Sequence, residues 1–355
     1  MTDSVCSDLV HEPLPGTAKN GSLFIALEHQ LGWSHDILDG GVFGDELTAR
    51  IKEWLAERDG SLQLIRRPGR IGQVPCDGVT MYVAHCPPEI PAPASPGEQR
   101  DETAEPGDET AATSAASDAV AGPRLEVRKV RDVEEMLSLD VRLGRPTEGA
   151  VDVDKPLLLV CTHGKRDQCC AVKGRPVAQA LSTIHPDVVW ETSHSKGHRF
   201  APALVLLPWN YSYGRLSAKE TNDMLDDAYS GVLHRGGCRG RGVWDPRGQV
   251  AELAARETAG EWGMDAVASV ESSDVVDAVL ADGAHGGGLL PEVVEGLRSV
   301  FVGDPAADAA AVVAFADGRR FGVALRRIVT EGVLSSCGDA PGPKKGWRAE
   351  ATVEL

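Results

Sequence analysis

The sequence predicts an α/β fold: two sheet-forming units in series, followed by a smaller α+β region. Three observations lead there. Apolar runs of strand length recur, such as PLLLVC at 156–161 and APALVLL at 201–207, as buried strands require. Stretches with helical periodicity alternate with them. Residues 87–123 carry eight acidic residues, one Arg and almost no large apolar side chain. Such a segment buries too little surface to offset its ordering entropy, so it reads as a disordered linker.

The central elements follow in order. PLLLVC is a buried-type strand. GRPVAQALSTIH is a helix: Pro176 suits its first turn, and Val177, Leu181 and Ile184 share one face. DVVWETS (187–193) is a second strand. ALVLLP (203–208) and YSYGRL (211–216) form an antiparallel pair across a Trp-Asn turn. SAKETNDMLDDAY (217–229) is a helix, with Ser217 and Glu220 spaced as a capping box. The order β-α-β, then β-β-α, is that of a compact thioredoxin-like domain.

The first part of the chain repeats the rhythm weakly. SLFIALEH (22–29) parallels PLLLVCTH, and ELTARIKEWL (46–55) supplies a helix. SLQLIRRPGR (61–70) parallels VVWETSHSKGHRF, and VTMYVAHCPP (79–88) parallels ALVLLPWN. A degenerate duplication is one reading, with Glu28 where the second copy has Cys161; chance likeness between α/β segments is the other. Beyond residue 230, DPRGQVAELAARETAGEW and ESSDVVDAVLADG read as helices. AAVVAFADGRRFGVALRRIV (310–329) reads as a hairpin and WRAEATVEL as a closing strand. The expected division is 1–86 as a degenerate thioredoxin-like domain, 87–123 as linker, 124–230 as the main thioredoxin-like domain and 231–355 as an accessory region.

Composition bounds the function. The 355 residues are 42% apolar with net charge −17. That length supports two or three cores, and that charge repels nucleic acid and anionic lipid while suiting a partner with a basic face. No signal-peptide pattern opens the sequence, and no apolar run approaches a membrane span. A cytoplasmic location is the expectation, with the eight cysteines as thiols or metal ligands rather than a disulfide framework.

Chemistry concentrates in two stretches, CTHGKRDQCC (161–170) and SHSKGH (193–198). Cys161 ends a strand, and Cys170 opens the next helix, whose N-terminus favours a thiolate. His194 and His198 follow the next strand. If the two strands are parallel, both loops meet at their carboxyl ends. Two thiolates and two imidazoles make a complete set of four ligands, fit for Zn²⁺ or a [2Fe–2S] cluster. Finger-type zinc modules pair cysteines more closely, and the eight-residue gap suits a bulkier inorganic core. An ordinary buried cysteine and loop histidines are the plain alternative. Cys169 competes with Cys170.

Other chemistries fit less well. CTHGKR is one residue short of a phosphatase loop, and no C-x-x-C, P-loop or G-x-G-x-x-G is visible. RGGCRGRG (235–242) reads as a turn-rich solvated loop rather than an anion contact. Arg166, Lys196 and Arg199 could dock an acidic partner or orient the ligand loop. Trp190 and Trp209 read as core before shield.

At CTHGKRDQCCAVKGRPVAQAL and VVWETSHSKGHRFAPALVLLPWNYSYGRL the chain resembles the sucrase/ferredoxin-like family, whose cluster domain is similar to thioredoxin-like [2Fe–2S] ferredoxins. CSDLVHEPLPGTAKNGSLFIALEH, LIRRPGR and the terminal SCG…WR extend the likeness. The resemblance implies a bis-histidinyl [2Fe–2S] cluster on Cys161, Cys170, His194 and His198. It departs at Lys196, where the family more often has Gly. It further implies an electron carrier or redox sensor with an unidentified partner protein rather than a self-sufficient enzyme. The potential would fall as pH rises through a histidine pKa. A zinc-stapled module and a thiol-dependent oxidoreductase are the alternatives. No paired-carboxylate site supports sugar hydrolysis.

Overall fold

The computed structural model describes residues 5–9, 11–69, 77–90, 122–273 and 307–355. Its fold is mixed α/β, with one large mixed sheet, small helices and a second sheet. The strands are β1 Leu23–Glu28, β2 Gly60–Arg66, β3 Val79–His85, β4 Arg124–Val130, β5 Val151–Asp152, β6 Leu157–Cys161, β7 Val189–Thr192, β8 Ala203–Leu207, β9 Tyr211–Gly214, β10 Cys238–Arg241, β11 Val267–Ser273, β12 Ala309–Phe315, β13 Arg320–Val333 and β14 Gly342–Glu354. The helices are α1 Cys6–Leu9, α2 Asp45–Ala56, α3 Val133–Ser138, α4 Arg175–Ile184, α5 Ala218–Tyr229 and α6 Pro246–Ala259.

The large sheet runs β10-β9-β8-β6-β7-β2-β1-β3-β4-β5. Its two halves follow one pairing pattern. β1 pairs parallel to β2 and antiparallel to β3; β6 pairs parallel to β7 and antiparallel to β8. β3–β4 and β4–β5 answer to β8–β9 and β9–β10, all antiparallel. The halves meet where β2 and β7 pair antiparallel through Ile65↔Thr192 and Arg66↔Glu191. Residues 124–152 therefore add strands to the first half, although they follow the acidic segment, most of which (91–121) lies outside the described residues.

Each half buries its own core. Leu23, Ile25, Ile51, Trp54, Leu64 and Met81 pack together in the first half. Leu158, Val160, Val177, Leu181, Tyr211 and Met224 do so in the second. A third cluster spans the join, with Phe24, Ile65, Tyr82, Leu159 and Trp190 in contact. The junction also holds a buried ion pair: Arg66 Nε donates to Glu191 Oε2 at 2.8 Å, with the two side chains only 5% and 6% exposed.

Helix boundaries follow local chemistry. Ser217 caps α5 in the expected capping box with Glu220. Asp245 caps α6 by accepting from the Gly248 N–H at 2.8 Å, and left-handed Gly260 ends it. On α4, Val177 and Leu181 are buried, but Ile184 is exposed where the helix ends.

Two expectations change. RGGCRGRG is not a solvated loop: β10 is buried, and Arg239 and Arg241 are essentially unexposed. Arg239 is bonded and stacked, whereas Arg241 donates only through Nε, to Trp209 O at 3.2 Å, and lies over the Trp244 ring. Arg239 donates to Thr17 Oγ1 at 3.0 Å, to Thr17 O and to Lys196 O, and lies over the Phe200 ring. Glu271–Ser273 end strand β11 rather than begin a helix; the rest of that expected helix lies outside the described residues. The 310–329 hairpin and the closing strand form the small sheet β11-β12-β13-β14, with α6 packed on it.

Candidate metal centre

The register of β6 with β7, Cys161↔Thr192, brings both ligand-bearing loops to one end of the sheet. Two backbone features then aim the side chains. Cys170–Gly174 is one π-helical turn leading into α4, a local widening often found at functional sites. Gly174 lies so close to the end of β6 that a Cβ there would stand 2.1 Å from Cys161 O. This close approach sets the Cys161 and Cys170 sulfurs 3.3 Å apart, both fully buried.

The histidine loop is a tight reversal. Lys196 (φ 61°) and Gly197 (φ 90°) are both left-handed, which turns the chain between His194 and His198. Their ring centroids are 5.2 Å apart. Cys161, Cys170 and His194 form one group whose ligand atoms all lie within 4.8 Å of one another. His198 is not within that group and stands beside it, next to His194.

Neighbouring residues hold the backbone of His194 and the ring of His198. His163 Nδ1 accepts from the His194 N–H at 3.1 Å, while its Nε2 donates to Ser34 O at 2.6 Å. Trp33 packs edge-on against His163. His198 Nε2 donates to Ser335 O and lies 3.7 Å from Asp167 Oδ2. In a neutral ring, that leaves Nδ1 as a bare acceptor. Indeed His194 Nδ1 and His198 Nδ1 are both buried without a hydrogen-bond partner.

The electrostatics match a site prepared for a cation. The Cys170 thiol drives Cys161 toward thiolate against the opposing effect of burial, with His194 helping. Cys161 in turn, together with burial, pushes Cys170 upward, so the pair holds one proton tightly. Burial lowers the pKa of both His163 and His198 and keeps them neutral, the form that binds metal.

Two of the three flanking cations, Arg199 and Arg166, have other partners. Arg199 makes a two-pronged pair with Glu12, at 2.6 and 3.0 Å. Arg166 reaches His35 Nδ1 at 3.3 Å. Trp190 lies in the core between the halves, and Trp209 donates to Asp265 at 2.9 Å. In the first half the place of Cys161 is taken by Glu28, whose carboxylate accepts from Gln30 at 2.7 Å and the Thr80 N–H at 2.9 Å.

The profile of the sucrase/ferredoxin-like family matches residues 14–240. The chain belongs to the sucrase/ferredoxin-like family. Comparison with curated proteins and with solved structures gives no match. The matched residues of this sucrase/ferredoxin-like chain include Cys161, Cys170, His194 and His198. The parts played by His163, Asp167 and Ser335 are not evident from sequence. His163 stands in CTHG, two residues after Cys161, and that proximity is the only signal it carries. No helix among the described residues is long and apolar enough to cross a membrane.

An iron–sulfur group, which the ferredoxin part of the family name suggests, is compatible with this donor set. Two sulfurs side by side and two buried imidazole nitrogens without partners are what a cluster with mixed ligation needs.

Proposed function

We propose that this protein is a one-electron carrier or redox sensor, with Cys161, Cys170, His194 and His198 holding a [2Fe–2S] cluster. The observation that carries the reading is the pair of orphaned, buried Nδ1 atoms beside the Cys161–Cys170 sulfur pair. An unpaired buried polar atom costs about 1–3 kcal/mol, and two such atoms beside one thiol pair are accounted for by a bound metal group. The repeated strand pattern supports reading each half as a thioredoxin-like unit, with the first a degenerate copy that has lost its ligands.

When bound, such a cluster takes up and returns one electron at a time. The chain's own residues do the rest. Cys161 and Cys170 supply soft anionic sulfur and are fully buried, excluding water from their side. His194 and His198 form the half-buried side and are the shorter route for an electron to a partner protein. Ser335 fixes the His198 ring through its hydrogen bond, and His163 holds the backbone of His194 in place. His198 Nε2, on Ser335 O with the Asp167 carboxylate nearby, is the atom at which a coupled proton would be held.

The test is a visible spectrum with iron and sulfide analysis on anaerobically purified protein. Red-brown colour with about two irons and two sulfides per chain is expected. His194→Cys and His198→Cys should keep colour with shifted bands. A colourless chain that resists reconstitution, or one zinc held by these four residues, would overturn the reading.

A further inference from the structure

A second group of donors lies beside the first and shares none of its four ligands. Cys6, Cys169, Cys337 and Asp167 converge so that their ligand atoms all lie within 4.8 Å of one another. Cys169 Sγ is 3.3 Å from Cys6 Sγ and 3.2 Å from Cys337 Sγ. Cys6 and Cys169 are buried, and Cys337 is partly so. The backbone N–H of Cys6 donates to Cys337 Sγ at 3.4 Å, a contact suited to a sulfur carrying negative charge. Asp167 accepts three hydrogen bonds: Cys169 N–H at 2.9 Å, Ser336 Oγ at 2.6 Å and Cys337 N–H at 2.8 Å. A carboxylate has about four acceptor positions, so these three bonds leave Asp167 capacity for a further ligand bond.

We propose that Cys6, Cys169, Cys337 and Asp167 bind one structural Zn²⁺. The sulfurs are too far apart for disulfides, which need about 2.05 Å. They are slightly closer than the roughly 3.8 Å between two thiolates on one tetrahedral zinc, so binding needs only a small opening. They converge on one point, as a mononuclear ion requires. Soft sulfur donors with a single carboxylate select zinc over magnesium or calcium, and a closed four-ligand set without an open position is a structural rather than a catalytic site. Three thiolates and one carboxylate leave the occupied site at −2, the charge of a four-cysteine zinc site. The three thiol protons go to solvent on binding.

The site joins three distant parts of the chain. Cys6 comes from α1, Cys169 from the loop that carries Cys170, and Cys337 from the turn between β13 and β14. Cys6 and Cys337 lie outside the residues matched to the family. Zinc would therefore staple the N-terminal segment and the C-terminal hairpin over the ligand loop. The same hairpin brings Ser335 O to His198. Part of the accessory region beyond residue 230 thus closes and holds the neighbouring centre.

The test is zinc and iron analysis of the full-length protein and its variants. About one zinc per chain is expected. Cys6→Ser and Cys337→Ser should each lower it at least about tenfold. The double variant Cys161→Ser/His194→Ala should keep it. In the unmodified protein, Cys337 should resist iodoacetamide until a chelator removes the metal, which keeps the test decisive if a variant fails to fold. Zinc retained by Cys337→Ser, a zinc-free chain whose Cys337 alkylates without chelator, or a disulfide among these thiols on peptide mapping would overturn the proposal. Failure of the iron–sulfur reading is distinguishable, because a colourless protein would still hold this zinc.

Discussion

Cys169 and Cys170 are adjacent in sequence and serve different groups: Cys170 Sγ lies 3.3 Å from Cys161 Sγ, while Cys169 Sγ lies 3.3 Å from Cys6 Sγ. The entry into the π-helical turn makes this divergence, since neighbouring side chains there point in different directions. On the proposed assignment, Cys170→Ser should abolish the visible absorption of the iron–sulfur centre, and Cys169→Ser should leave it in place while losing zinc. Parallel spectra and metal analyses of the two variants decide this. Colour retained in Cys170→Ser and lost in Cys169→Ser would exchange the roles.

The reversal between His194 and His198 carries strain at Lys196. A non-glycine residue at φ 61° costs about 1–2 kcal/mol, which gives a physical reason for glycine at this place. Lys196→Gly should raise stability by about 0.5–1 kcal/mol after the added chain entropy is subtracted. Urea unfolding would register it as a higher midpoint at unchanged slope. Gly197 behaves oppositely. A Cβ there would stand 2.5 Å from the Arg239 guanidinium nitrogens at φ 90°, so Gly197→Ala should cost about 1–3 kcal/mol and disturb the histidine pair.

The join between the halves depends on Arg66 and Glu191. Their ion pair is buried, Thr162 Oγ1 also donates to Glu191 at 3.0 Å, and the Arg66 guanidinium lies 4.1 Å over the Trp33 ring. Glu191→Ala leaves a buried guanidinium without its counter-charge and should cost about 3–5 kcal/mol. The double variant Arg66→Met/Glu191→Leu removes both charges and should recover most of that loss. Chemical unfolding of the single variant, the double variant and the unmodified protein measures both numbers. Equal losses in the single and double variants would show that packing at this junction, rather than the charges, holds it.

Much of this arrangement is legible in the sequence where the signal is local. The run PLLLVC and the Ser217–Glu220 box each carry their own periodicity or spacing, and each lies where that spacing puts it, while the two ligand stretches meet at one end of the sheet with Cys161, Cys170 and His194 grouped and His198 beside them. The echo between SLFIALEH and PLLLVCTH reappears as matching strand pairings. What is not legible depends on distant partners. Strand β4 pairs with β3 across the acidic segment, and nothing in RLEVRKV says which edge it joins. The arginines of RGGCRGRG look solvated until Thr17 and Phe200 are seen to satisfy Arg239. The thiols at 6, 169 and 337 have no spacing to recognise, because three separate segments bring them together.

His85 ties stability to pH. It is fully buried, with Nε2 3.4 Å from Glu126 Oε2 and Nδ1 accepting from the Gly144 N–H at 3.2 Å. Burial lowers its pKa below the ordinary 6.5, and the Glu126 charge only partly offsets this. Between that lowered value and 6.5 the unfolded chain binds a proton that the folded chain does not. Stability therefore falls as pH drops below 6.5, by up to about 1.4 kcal/mol per pH unit for each such histidine. His29 is lowered in the same direction by burial, so its effect adds. Unfolding midpoints measured from pH 7 down to pH 5 should decline, and His85→Gln should decline less steeply by up to one proton's worth. A steeper decline in that variant would mean that His85 is protonated in the fold, with Glu126 as its counter-ion.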